Sequence, residues 1–138
     1  MVVLDTSGLV AVVVADDRDH GAAVAALTAA GGPFVIPAGI LAEAAYMIER
    51  DAGTEALAAV LADLDSGAYT LDCGARDFPR IRELVLRYAD LPLGFADAAV
   101  ITCAERTKAE VLTFDRRDFD VVAGEGTFRM LETGPRRA

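Results

Sequence analysis

The chain has 138 residues, with 22 acidic and 13 basic side chains and one histidine, for a net charge of −9. This length suits one domain that buries about two-thirds of its unfolded surface, and an apolar fraction of 54%, swollen by 27 alanines, excludes a disordered acidic tail. No apolar run approaches the roughly 18 residues of a membrane span, and Met1–Asp5 has no basic leader and ends on an acid, so no signal peptide or membrane anchor is expected and the protein reads as cytoplasmic.

The elements alternate. Val2-Val3-Leu4 reads as a short buried strand, and a helix capped by either Asp5 or Thr6 follows to about Ala15. The run Leu9 to Ala15 is apolar nearly all round, which implies a helix fully buried by its own chain or packed against a partner. A second helix spans His20 to Ala30 and stops at Gly31-Gly32. Phe34-Val35-Ile36 is a strand. Pro37 starts a helix that runs to about Asp51, and Thr54 starts another, with Leu57, Val60, Leu61 and Leu64 on one face. Tyr69-Thr70-Leu71 is a third strand. Asp77 and Pro79 open a fifth helix, Pro92-Leu93-Gly94 leads into a sixth to about Thr107, Val111-Leu112-Thr113 is a fourth strand, and Phe128 to Leu131 is a fifth. From Gly134 the tail reads as frayed. Short apolar strands between helices imply an α/β fold: a mostly parallel sheet of four or five strands with helices on both faces.

Counting reactive side chains excludes much chemistry. Cys73 and Cys103 form no C-x-x-C pair and read as buried, reduced thiols. Two cysteines and His20 do not make a structural zinc site, and His20, after Asp16, Asp17 and Asp19, reads as a solvated residue at a helix start. Neither Ser7 nor Ser66 sits in G-x-S-x-G, Lys108 lies between charged neighbours, and no phosphate-cradling glycine loop occurs. Carboxylate remains.

Four acids stand out. Asp5 ends one apolar strand and Asp115 follows another, and ligands of open parallel sheets bind beyond the carboxyl ends of strands. Glu43 is the only charge between Pro37 and Ile48, and Asp97 the only one between Asp90 and Glu105; neither has a base among its helical neighbours. Each has a plainer reading as a helix cap or an edge residue. Drawn together, the four repel and some take up protons at neutral pH. A hard divalent cation, Mg²⁺ or Mn²⁺, removes that penalty through oxygen-only ligation.

The segments VLDTSGL (Val3 to Leu9), LAEAAYMI (Leu41 to Ile48), DLPLGFADAAVITCAER (Asp90 to Arg106) and LTFDRRDF (Leu112 to Phe119), in that order over almost the whole chain, resemble the PIN-domain family and, more narrowly, its VapC toxins. The resemblance implies a PIN domain over residues 1–133 followed by the tail 134–138, and a metal-dependent endoribonuclease that leaves 5′-phosphate and 3′-hydroxyl ends. It implies a homodimer held inactive by a small VapB-like antitoxin. Its catalytic and metal-binding acids map onto Asp5, Glu43, Asp97 and Asp115. Thr6 and Thr113 match hydroxyl positions beside the metal, Asp118 a further acid of variable role, and Asp90 an acid that also reads as a loop residue. Asp5 and Asp97 are expected to hold the principal Mg²⁺ or Mn²⁺, with Glu43 and Asp115 acting through water or on a second ion.

The acidity opposes an RNA-binding role, because a nucleic-acid binder usually shows a basic face. The arginines are clustered, however: Arg76, Arg80, Arg82 and Arg87 around one helix, Arg116-Arg117 beside Asp115, and Arg136-Arg137 in the tail. Glu83 and Arg87 also suit an ordinary helix pair. Rival α/β classes lack their residues: Asp5 is followed by Thr6-Ser7, not by a second acid or D-x-D, and Lys108 precedes its strand. The alternative that keeps the fold is a catalytically inactive PIN-like scaffold that only binds a protein partner.

Overall fold

The structure is a computed structural model and describes residues 1–134. In chain order it comprises β1 (Val2–Leu4), α1 (Thr6–Val13), α2 (His20–Ala30), β2 (Phe34–Pro37), α3 (Ala38–Ala52), α4 (Thr54–Ser66), β3 (Tyr69–Asp72), α5 (Phe78–Arg87), α6 (Gly94–Thr107), β4 (Glu110–Leu112), α7 (Arg116–Ala123) and β5 (Arg129–Met130). The expected tail falls almost wholly on residues 135–138, outside the described residues, as does the Arg136-Arg137 cluster.

The strands form one sheet in the order β3-β2-β1-β4-β5, with every neighbouring pair parallel. β1 sits at its centre, Val3 opposite Val35 on one side and Val111 on the other. Val2, Val3 and Leu4 are all buried; successive strand residues face opposite sides, so both faces of the sheet are covered. Parallel pairing also brings the carboxyl ends of β1 and β4 to the same edge, where Asp5 and Asp115 emerge.

Two helices frame that edge. Residues Ala98 to Ala104 of α6 are buried without a break, so this helix is enclosed and not half-exposed. α3 buries only Ile40, Ala44 and Ile48, the i, i+4, i+8 stripe of a helix with one face on the core. α1 is buried at Gly8 to Ala11, and Val14 beyond it is buried too, so the chain itself covers much of the apolar run.

Four expectations change. α1 ends at Val13, where Val14 turns extended, and does not reach Ala15. The segment after Asp115 is helical: Phe119 and Val122 bury one side of α7, a three-residue spacing hidden in a charged stretch. Cys73 is exposed, because it lies beyond the end of an edge strand, whereas Cys103 is buried within α6 and burial pushes its thiol up to about 12. His20 begins α2 as expected, but it is half-buried and its Nδ1 stands 2.8 Å from the Ala11 carbonyl oxygen, tying α2 to α1.

Candidate metal centre

Asp5 is both a helix cap and a buried acid. Its Oδ1 accepts from the Gly8 amide at 2.7 Å, which caps α1. Its Oδ2 accepts from the Thr113 hydroxyl at 2.5 Å, which ties the end of β1 to the end of β4. Ser7 completes the web: its hydroxyl stands 2.9 and 3.1 Å from the two Asp5 oxygens and 3.2 Å from Thr113 Oγ1, and it accepts from the Phe114 amide at 2.9 Å. Burial outweighs these hydrogen bonds, and with repulsion from Asp115 it raises the Asp5 carboxyl to about 6.

Gly8 permits the arrangement. A Cβ at this position would stand 2.3 Å from the Leu112 carbonyl oxygen and 3.2 Å from Asp5 Oδ1. Only a residue without a side chain lets α1 start so close to β4, and that closeness brings Ser7 and Thr113 together.

Asp97 lies in the first turn of α6 and caps nothing. Its carboxyl is raised to about 7, first by desolvation and then by the negative charges of Asp5, Asp115, Asp118 and Glu43. Each of those acids comes from a different place: β1's end, the position before α7, α7's first turn and α3. The fold therefore brings Asp5, Glu43 and Asp115 within electrostatic reach of Asp97, and Asp115 within reach of Asp5. None of the four has a basic partner among the described residues.

Their surroundings differ. Asp5 is buried and Asp97 half-buried, while Glu43 and Asp115 are exposed at the rim. Asp115 precedes α7 without a capping hydrogen bond from its side chain, and its amide donates to Thr113 Oγ1 at 3.1 Å. Asp118 pairs with Arg117 at 3.3 Å. Thr6 is half-buried, and Asp90 lies exposed in the turn before α6. Among the described residues, no group of three or more His, Cys, Asp and Glu side chains is already arranged to hold a metal ion. The donor set nevertheless suits a hard divalent cation: it is all carboxylate and hydroxyl oxygen, and its acids lack counter-charges.

Sequence reasoning passed over two residues here. Ser7 was weighed only as a nucleophile, yet it links Asp5, Thr113 and Phe114. Gly8 went unremarked, and D-x-x-G immediately after a strand was the available signal. The basic cluster around α5 also reads differently in three dimensions. Arg80 binds Glu105 and Glu125, and Arg87 binds Glu83 and Glu125. Arg76 precedes the helix. Beside the acids, Arg117 also donates to the Leu91 carbonyl at 3.2 Å, and the buried Nε of Arg116 has no hydrogen-bond partner.

Comparison with known proteins agrees with this geometry. A family profile described as PIN domain matches residues 2–125. Ribonuclease VapC26 of Mycobacterium tuberculosis is 33% identical over 133 residues, covering 94% of this chain and 98% of that protein. The fold also matches the crystal structure of VapC20 of the same organism, described as a sarcin-ricin loop cleaving toxin, with a TM-score of 0.76 and 24% identity over 88% of this chain and 95% of that one. The chain therefore belongs to the PIN-domain family, in its VapC-type branch.

Proposed function

We propose that this PIN domain is a metal-dependent endoribonuclease, the toxin of a toxin–antitoxin pair. One observation carries the reading: Asp5, Glu43 and Asp115, from separate elements, lie within electrostatic reach of Asp97, and none of the four has a basic partner among the described residues. By contrast, Glu105 and Glu125 share Arg80, and Asp72 and Asp77 share Arg106. Burying unpaired carboxylates is costly, and a bound divalent cation offsets the cost.

Asp5 and Asp97 would hold the principal Mg²⁺ or Mn²⁺ in this reading, with Glu43 and Asp115 acting through water or on a second ion. When bound, such a cation lowers the pKa of water and offsets charge on phosphoryl oxygens. The protein's own part is positional. Ser7 and Thr113 orient Asp5 through its two oxygens, Gly8 fixes its cap, and Thr113 joins Asp5 to the backbone at Asp115. Asp118 adds negative charge at the rim. Neither the histidine nor the lysine is offered as a base in this reading: His20 Nδ1 stands against the Ala11 carbonyl oxygen, and Lys108 follows the last turn of α6, at the end opposite Asp97.

The antitoxin in this reading lays a segment over the acidic crevice and brings basic side chains to these carboxylates; co-expression then restores growth. A homodimer is proposed as well, to be checked by light scattering. No helix among the described residues is long and apolar enough to cross a membrane. The deciding experiment sequences RNA 5′ ends after brief expression of the wild type and of Asp5→Ala. New 5′-phosphate ends confined to the wild type support the reading. Ends common to both place the activity elsewhere, and their absence from both favours the inactive scaffold.

A further inference from the structure

Helix α3 carries a stripe that the acids use only in part. Gly39, Glu43, Tyr46 and Arg50 recur at helical spacing and share one face. At the start of the stripe the ring of Phe95, from the first turn of α6, lies against Gly39: a Cβ there would meet the ring at 3.3 Å and the Ala99 Cβ at 3.0 Å. Glycine thus lets the ring close onto α3. Phe95 still leaves 52% of its surface open, and Tyr46 leaves 67%. The Arg50 guanidinium stands 5.9 Å from the centroid of the Tyr46 ring and pairs with Asp51. Gly39 and Tyr46 are separated by roughly 10 Å along the helix axis. Glu43 lies between them. Two open aromatic rings therefore bracket Glu43.

We infer that Phe95 and Tyr46 stack against unpaired bases of single-stranded RNA crossing the acid site, one on each side of Glu43. This rests on the ribonuclease reading and says how the substrate is held. An isolated exposed ring is ordinary on a protein surface; a pair set on either side of Glu43 along one helix face is not isolated. Stacking also answers the charge problem. In a chain of net charge −9, Arg18, Arg50, Arg80, Arg87, Arg106, Arg116 and Arg117 pair with its own acids, which leaves few unpaired cations for phosphates among the described residues. Base–aromatic stacking needs no positive charge and accepts any base. It favours single strands, because a duplex keeps its base faces covered.

The test uses the whole chain with Mg²⁺ and a labelled single-stranded RNA that the wild type cuts. Phe95→Leu and Tyr46→Leu keep apolar bulk and remove the ring. Each is expected to raise KM by about 5- to 100-fold, with kcat unchanged. Phe95→Tyr and Tyr46→Phe restore KM. In the Asp97→Asn background, fluorescence anisotropy of the uncut RNA is expected to show the same loss of affinity, and melting temperatures stay level because both rings are largely exposed. If the wild type cuts RNA and both leucine variants match it in KM and anisotropy, stacking is overturned and the ribonuclease reading stands. If the wild type cuts no RNA, both fall. If the leucine variants lose a dimer in light scattering while KM holds, the rings face a second copy of the chain and the inference is overturned.

Discussion

The two ends of α6 set the same chemistry in opposite surroundings. At its first turn Asp97 faces Asp5, Asp115, Asp118 and Glu43, and its carboxyl is raised to about 7. At its last turn, roughly 12 Å away by helix rise, Glu105 takes two hydrogen bonds from Arg80, at 2.9 and 2.8 Å, and Arg106 bridges Asp72 and Asp77. The same arginine network reaches Glu125, whose carboxyl is held down to about 2, chiefly by the Tyr88 hydroxyl and then by Arg87 and Arg80. The chain therefore neutralises clustered acids with arginine where they serve the fold. It leaves Asp5, Glu43, Asp97 and Asp115 bare at one edge of the sheet. An excess of acid over base says little about function; the distribution of the bases says much more.

The contrast can be broken most sharply at Asp97. Asp97→Asn is expected to lower Mg²⁺-dependent RNA cleavage by at least about 100-fold, since the cation supplies several kcal/mol of charge stabilisation, while circular dichroism shows an intact fold. Cleavage that survives in this variant would move the site away from α6. Arg80→Ala at the other end is expected to cost about 1–2 kcal/mol of stability, by stripping Glu105 of its main partner and Glu125 of one of three, and to leave kcat/KM unchanged. Urea unfolding and a cleavage assay on one preparation separate the two effects.

Within the site, Ser7→Ala removes the acceptor of the Phe114 amide and one donor to Asp5. A loss of about 1–3 kcal/mol in stability is expected, together with lower activity, because Asp5 is no longer held from both sides. A variant as stable and active as the wild type would show that Thr113 and Gly8 suffice.

The two regions also respond oppositely to pH. Asp5 and Asp97, raised to about 6 and about 7 from 3.8, keep protons in the folded chain that the unfolded chain releases. Stability therefore falls as pH rises from about 4 through about 7 and levels beyond. Glu125, lowered to about 2 from 4.5, contributes stability above 4.5 that is lost as pH drops towards 2. Melting curves in EDTA are expected to decline between pH 5 and 8; Asp97→Asn flattens that limb, and Mg²⁺ at about 100 times its Kd raises the high-pH end by about 2.7 kcal/mol. A rise in stability over that range in EDTA would contradict the bare-acid description. The smallest effect concerns salt: with few free cations, the log–log slope of RNA affinity is expected to be shallower than −5, at about −0.7 per neutralised phosphate.

Much of this was legible in the chain. Apolar runs two to four residues long between amphipathic helices dictated a buried parallel sheet, because such strands cannot face water on either side. Asp5 and Asp115 stood out because each follows an apolar strand, and Glu43 and Asp97 because neither has a base within helical reach, both of them properties of spacing alone. What spacing could not reveal was α7, whose single buried stripe of Phe119 and Val122 is masked by charge, or the exposure of Cys73, which depends on where an edge strand stops. The arginines of α5 were equally ambiguous: Glu105 and Glu125 lie 25 and 45 residues from Arg80, so only folding shows that its charge is spent internally.

The sequence by itself determined every element but α7 and their order, and singled out the acids, since local periodicity and the scarcity of bases are properties of neighbouring residues. Only the tertiary structure decided that Asp5 would be both cap and buried acid, that Ser7 and Thr113 would meet across a gap of 106 residues, and that Gly8 would leave room for them. These are contacts between chain segments, and parallel pairing of β1 with β4 is what brings the segments together.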